Sequence, residues 1–370
     1  MPERGDAMQP LSGIRVVDLT NLLPGPLATL MLVEAGAEVI KIERPGGDDM
    51  RGYAPQWQGT GAAFGLLNRG KTCLTLDLKS ADGAARLRSL LEDADVLVEQ
   101  FRPGIMAKLG FGYEAVRAIN PKLIYCSISG YGQTGPRANE AGHDLNYIAS
   151  TGLLALQPGP ADRPVVPPAL VADIAGGTFP AVINILLALR QRDLTGEGCY
   201  LDIAMTDAMF TFAWRALSGY WASGSLATSG QGELTGDTAR YHLYPAKDGG
   251  IVACAALEDH FWRRFASVIG LDEALVDDKR DAAATIAAVG AIIASRNAAE
   301  WAPVFAKADC CVTIMRSLDE ALRDPHFIQR GLFEHRARSA QGATLPALPV
   351  PVDPQFRDAA SSEKASPPAL

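Results

Sequence analysis

Between residues 14 and 128 the chain alternates short apolar, β-branched runs with helix-patterned segments, and that alternation limits the fold more than any other feature. The apolar runs are Ile14–Leu19, Glu38–Ile42, Leu74–Leu76, Val96–Val98 and Leu123–Ile128. Helical patterns run through Ala28, Leu30, Met31 and Leu32, then Ala81–Leu91 and Tyr113–Ile119. Strands and helices that alternate through short connections close into a parallel, doubly wound α/β sheet. The first turn, around Pro24-Gly25-Pro26, has no G-x-G-x-x-G, which argues against a dinucleotide site.

Tyr125–Gly152 reads as a strand end, a loop broken by Gly130, Gly132, Gly135 and Pro136, and a helix start at Gly142-His143-Asp144. Such junctions are where α/β proteins place their chemistry. The longer segment Gly46–Lys71 is Gly-rich and reads as a flap or loop. Beyond Val165–Ala169, Asp173 enters an apolar helix near Ile174–Arg190, followed by a strand at Tyr200–Ile203 and a helix near Thr206–Trp221. We expect residues 1–222 to form the large domain, 223–236 a linker rich in Gly, Ser and Thr, and 237–325 a smaller α+β domain. That smaller domain would hold a hairpin over Tyr241–Ala256 and helices at Asp259–Ile269 and Ala283–Lys307, while 326–370 packs back on the large domain.

A net charge of −8 and a pI near 5.2 argue against nucleic acid as a partner, since phosphate backbones need a basic face. The six cysteines form no CxxC pair and sit mostly in apolar runs, the pattern of reduced core thiols, so no metal framework is expected. No run approaches the roughly 18–20 uninterrupted apolar residues of a membrane span. Without an apolar N-terminal signal core, the expected location is the cytoplasm.

Each candidate residue has a plain and a chemical reading. His143 either bonds backbone at the helix start or faces a ligand from the strand–loop junction. Asp144 reads as a cap or first-turn acid. Tyr147, four residues after His143, shares its helical face. Asp173 is either the N-cap of the helix beginning at Ile174 or an acid in a dry pocket, where burial would raise its pKa. Glu258 precedes a helix after an apolar strand. Lys41, Arg44, Lys79 and Arg102 lie at or just after predicted strand ends, the side on which doubly wound sheets bind ligands, and together suit the phosphates of a nucleotide-like ligand.

Several segments resemble the family III CoA-transferase superfamily: LSGIRVVDLT…PGP at 11–26, EAGAEVIKIERPGGD at 34–48, NRGKTCLTLDLKS at 68–80, ADVLVEQFRPG at 94–104 and LIYCSISGYGQTGP at 123–136. AGHDLNY, VADIAGG and the KDG hairpin extend the likeness over nearly the whole chain. Within that superfamily the sequence is most similar to α-methylacyl-CoA racemases. Its first loop is LLPGP, with Leu23 where transferases carry a glutamine; AGHDLNY supplies a histidine; ALEDHFW places Glu258 where racemases have an acid.

The resemblance implies an interlocked homodimer and epimerisation of 2-methylacyl-CoA thioesters through an enolate. His143 and Asp173 would transfer the protons, Glu258 would approach the other subunit's His143, and Tyr147 would lie beside the thioester. Arg44, Lys79 and Arg102 would line the CoA site. It implies no cofactor beyond the CoA moiety, and no nucleic-acid or membrane partner. The alternative is CoA transfer between carboxylic acids through an Asp173 aspartyl-CoA thioester. Backbone N–H groups at Asp173-Ile174 or in the Gly142–Asp144 turn are the expected enolate donors. Met205, Met209 and Phe210 suit an acyl channel.

Overall fold

The structure, a computed structural model, describes residues 9–157, 165–226, 232–357 and 363–368. Six strands form one wholly parallel sheet: β1 Arg15–Leu19, β2 Glu38–Glu43, β3 Thr72–Thr75, β4 Val96–Glu99, β5 Ile124–Ser129 and β6 Tyr200–Ala204. They lie side by side in the order β3-β2-β1-β4-β5-β6. The helices that matter here are α1 Pro24–Glu34, α2 Ala81–Glu92, α3 Tyr113–Ile119, α4 Asp144–Ser150 and α5 Phe179–Thr195.

Strand residues alternate between the two faces. Val17, Leu19, Ile40, Leu97 and Tyr125 meet Leu87, Leu90 and Leu91 of α2 and Val116 of α3. On the opposite face Asp18 reaches Thr29 of α1, and α1 packs on α5. All eleven residues of α1 are buried, which accounts for a helix apolar on every side. The expected strand at Leu74–Leu76 is instead Thr72–Thr75, pinned by the pairing of Ile40 with Thr72.

Three further expectations need correction. Gly46–Lys71 is not a bare loop: it holds a short helix, Ala62–Leu67, whose Phe64 is fully buried beneath the Arg51 guanidinium, 4.0 Å from the ring centre. The expected helix over 206–221 is two pieces, Met209–Phe212 and α6 Trp214–Ser223. The alanine-rich helix is also two, α8 Ala282–Ile293 and α9 Ala298–Ala308, bent by 115°. Asn297 and Glu300 form a capping box that starts the second piece, Glu300 accepting the Asn297 N–H at 2.8 Å. The helical run Ala172–Thr195 is, by length and composition, long and apolar enough to cross a membrane, although Asp173, Thr178 and Asn184 interrupt it, and half of its most apolar stretch is buried, packed on α1 and the sheet.

The chain divides into two compact units. The first joins Met1–Thr151, Pro168–Thr211 and His326–Leu370. The second joins Gly152–Pro167 and Phe212–Pro325. The boundary thus falls before 222, because Ala213, Trp214 and Ala216 wall an apolar groove with Leu153 and Leu156 inside the second unit. Part of the expected linker, residues 227–231, lies outside the described residues. The second unit carries a sheet of β7 Tyr241–Pro245, β8 Ile251–Ala255 and β9 Val312–Ile314, all antiparallel. Its core is Trp262 and Phe265 of α7 (Asp259–Ile269) with Trp301 and Phe305 of α9. In the first unit, β10 Arg336–Arg338 pairs with β11 Thr344–Pro346 and with β12 Glu363–Ala365.

Candidate active site

In a doubly wound sheet the chain leaves the central strands toward opposite faces, which opens a crevice at their carboxyl ends. Here that switch lies between β1 and β4. A cavity of about 400 Å³ occupies it. Its walls come from Asn21 and Leu22 after β1, Gln100 and Arg102 after β4, and Ser129 and Gly130 at the end of β5.

The wall after β1 is held from below by a buried ion cluster. Lys71 Nζ donates to Asp18 (3.1 Å), Thr29 Oγ1 (2.7 Å), Asn68 Oδ1 (2.9 Å) and the Pro26 carbonyl (2.9 Å). Asp18 accepts the Thr20 N–H at 2.9 Å, and Lys41 Nζ donates to the Thr20 carbonyl at 2.7 Å. Clamped on both sides, Thr20 launches a turn in which Leu22 takes φ +56°, a left-handed conformation that a leucine adopts only under constraint. Leu22 and Pro24 reach the cavity wall, whereas Leu23 is not part of it. Gln100 accepts the Gly25 N–H at 3.1 Å, so that amide of α1 is not free for a ligand.

His143, Tyr147 and Asp173 share this cavity. His143 is the N-cap residue of α4, its own N–H donated to Asn146 Oδ1 at 3.0 Å. Tyr147 donates its hydroxyl to the Gly142 carbonyl at 2.5 Å. Its ring lies so close to Gly130 and Gly142 that a Cβ at either would come within 2.5 or 2.6 Å. Burial, with the nearby Asp173 charge adding to it, pushes the Tyr147 phenol up to about 12, so it stays a hydrogen-bonding hydroxyl at neutral pH.

Asp173 is not an N-cap. It lies inside a π-helical turn, Ala172–Thr178, that runs directly into α5. Such wide turns recur at functional sites because they push one residue out of the helical register. Its N–H donates to the buried Asp144 carboxylate at 3.0 Å. Desolvation first, then the Asp144 charge, raise the Asp173 carboxyl to about 6, while His143 pulls it partly back. Asp144, expected only to serve the helix start, is thus the clamp between α4 and the Asp173 turn, a tertiary bond that no local pattern announces.

That clamp also removes one of the two expected enolate donors. The Asp173 N–H is spent on Asp144, and the Ile174 N–H on the Leu170 carbonyl at 3.1 Å. In the Gly142–Asp144 turn, the Asp144 N–H has no acceptor among the described residues, as befits the first residue of a helix.

The basic residues separate. Arg102 lines the cavity, while Arg44 and Lys79 are not part of its wall; Arg44 is ion-paired with Asp49 and Lys79 is exposed. Of the apolar residues, Met205 lines the cavity, Met209 is fully buried and Phe210 is half exposed. Glu258 belongs to the second unit, where it stands exposed before α7 with no capping bond. Among the described residues no cluster of His, Cys, Asp or Glu is arranged to hold a metal.

The sequence pattern of CoA-transferase family III matches residues 11–370. The chain belongs to that family. It is 35% identical over 360 residues to the α-methylacyl-CoA racemase of Homo sapiens, covering 94% of this chain and 89% of that one. It is 34% identical over 365 residues to the acetyl-CoA:oxalate CoA-transferase of Acetobacter aceti, covering 95% and 92%. The crystal structure of a CAIB/BAIF family protein from Brucella suis superposes with a TM-score of 0.81 at 31% identity, over 95% of this chain and 94% of that one. This family III member is therefore an enzyme, a racemase or a CoA-transferase. Both chemistries occur among its relatives at similar identity, so the choice rests on the side chains of the cavity.

Proposed function

We propose that the enzyme epimerises 2-methylacyl-CoA thioesters by taking the α-proton from one face and returning a proton to the other. The observation that carries this reading is that His143 and Asp173 line one cavity while the Asp173 carboxyl sits near 6, poised to be either acid or base around neutral pH. A nucleophilic aspartate needs its ionised form, and burial beside Asp144 works against that form. For proton transfer the same environment is an asset.

In one direction neutral His143 removes the α-proton and protonated Asp173 delivers a proton to the opposite face. The pair is then left as His143⁺ and ionised Asp173, the state that turns over the other epimer. The enolate formed between these steps needs a donor at the thioester oxygen, a role we assign to the Asp144 N–H. Arg102, which lines the cavity, is the residue we assign to the CoA moiety. We further propose that the enzyme acts as the interlocked homodimer the family resemblance implies, with Glu258 brought to His143 of the partner subunit.

The test is incubation with one 2-methylacyl-CoA epimer in D₂O without an acceptor acid. Deuterium at the α-carbon with loss of optical purity is expected, and His143→Ala should slow it by about 10²-fold or more. No exchange, together with CoA passing to an added carboxylic acid, overturns the racemase reading in favour of an Asp173 aspartyl-CoA thioester.

A further inference from the structure

Glu258 itself is held by nothing: its side chain is exposed and has no hydrogen-bond partner among the described residues. The residues on both sides of it are tied by one side chain, at a backbone carbonyl before it and a carboxylate after it. Arg240, just before β7, donates Nη1 to the Leu257 carbonyl at 3.1 Å and to Asp259 Oδ1 at 2.6 Å. The rest of its guanidinium is anchored in the core of the second unit. Nε donates to both carboxylate oxygens of the buried Asp278 at 3.0 Å, Nη2 lies 2.9 Å from the same group, and the Trp262 ring centre is 5.5 Å from the guanidinium carbon. A planar fork pinned at one end to Asp278 leaves its other end aimed at the two residues that bracket Glu258.

We infer that Arg240 is a positioning residue for Glu258, fixing the β8–α7 turn so that this acid projects as a free, pre-aimed group. The inference rests on the proposed approach of Glu258 to His143 of the partner subunit. Folding of the second unit alone would ask less of this residue. The Asp278 pair and the Trp262 contact already anchor the guanidinium, whereas Asp259 has a side chain 77% exposed and adds little stability as a surface partner. The arms to Leu257 and Asp259 make sense as a constraint on the turn.

The experiment is a double-mutant cycle on the full-length enzyme, read by the rate of α-deuterium uptake into a 2-methylacyl-CoA epimer. Arg240→Lys keeps a cation against Asp278 but loses the fork to the turn. It should lower kcat by about tenfold with KM nearly unchanged, and by less than about twofold once Glu258→Gln is present, because coupled residues are not additive. Asp259→Ala, which leaves the Asp278 pair intact, should show a smaller loss that also vanishes in the Glu258→Gln background; it serves if Arg240→Lys folds poorly. Equal losses in both backgrounds make Arg240 a structural residue and overturn the inference. Glu258→Gln exchanging as fast as the parent also overturns it, by removing the working group. The His143→Ala result separately reports whether the proton-transfer reading itself stands.

Discussion

Three carboxyl groups of the first unit show how neighbours, rather than burial alone, decide a charge state. Desolvation pushes all three upward. At Asp18 the Lys71 and Lys41 charges with Thr20 and Thr29 more than reverse it, and the carboxyl falls well below its ordinary value. Glu99 has no such cation: it is opposed only by hydrogen bonds from Ser127 and the Phe101 N–H, and it rises to about 7. Asp173 is the intermediate case. The sign of the consequence at Glu99 is set by linkage. In the folded protein it titrates above its ordinary value of 4.5, so as pH rises the unfolded chain ionises first. Stability therefore declines from about pH 4.5 to 7 and stays lower above. Glu99→Gln should remove this penalty, gaining up to about 3 kcal/mol at pH 8 and almost nothing at pH 4.5, since a tenfold change in proton affinity is worth about 1.36 kcal/mol. Urea unfolding at both pH values measures it, and a gain that does not grow with pH refutes the assignment. Asp173→Asn should be stabilising in the same direction above pH 6, by a smaller amount because that carboxyl is less completely buried, while abolishing epimerisation and leaving exchange only on the face that His143 serves.

At the scale of elements, the decisive one is the π-helical turn at Ala172–Thr178. It fits because Gly176 lies against the chain as it leaves β6: a Cβ there would meet the Met205 carbonyl at 2.3 Å. Gly176→Ala must shift the turn, and Asp173 with it. The expected outcome is a loss of about 1–3 kcal/mol in stability, as for other overpacked sites, with exchange slowed well beyond what the lower melting temperature explains. A variant that exchanges normally would show that the turn does not set the geometry of Asp173. The sequence announces an acid entering an apolar helix here but not the wide turn, since i→i+5 bonding leaves no periodic trace and is imposed by the strand beneath. Strands β1 to β6 are legible because apolar β-branched runs have few other uses. His143 at a helix start is legible from the Gly142-His143-Asp144 junction. The Asp144–Asp173 bond, which spans 29 residues, is not. The break between α8 and α9 lies between: alanine periodicity runs straight through it, and only the capping box of Asn297 and Glu300 marks where a new helix starts.

At the scale of the molecule, the parallel sheet follows from strand–helix alternation, whereas the particular bonds by which the C-terminal tail packs back are not legible, because its polar Pro- and Ser-rich end carries no pattern of its own. That tail is bonded at several points of its described part. Gly70 donates its N–H to the Ala365 carbonyl at 2.7 Å, Ser366 Oγ donates to the Gly65 carbonyl at 3.1 Å, and Arg51 Nη1 donates to the Pro368 carbonyl at 2.8 Å. Arg51 is the residue that pairs with Glu43 at the end of β2 and covers Phe64. The tail therefore closes over the segment between β2 and β3, supplying it with two carbonyl acceptors and one hydroxyl donor. Deleting residues from 358 onward should expose Ser366's partners and the β10 edge, at a cost of about 1 kcal/mol for each buried hydrogen bond lost. We expect the truncated enzyme to melt several degrees lower and to be cut by trypsin within residues 44–71, while the ion cluster of Asp18, Lys41 and Lys71 keeps the cavity wall, and with it the KM for an acyl-CoA, close to the parent value. Limited proteolysis followed by mass spectrometry reads the first outcome and steady-state exchange the second; unchanged protease resistance of residues 44–71 would show that the tail is not what closes them.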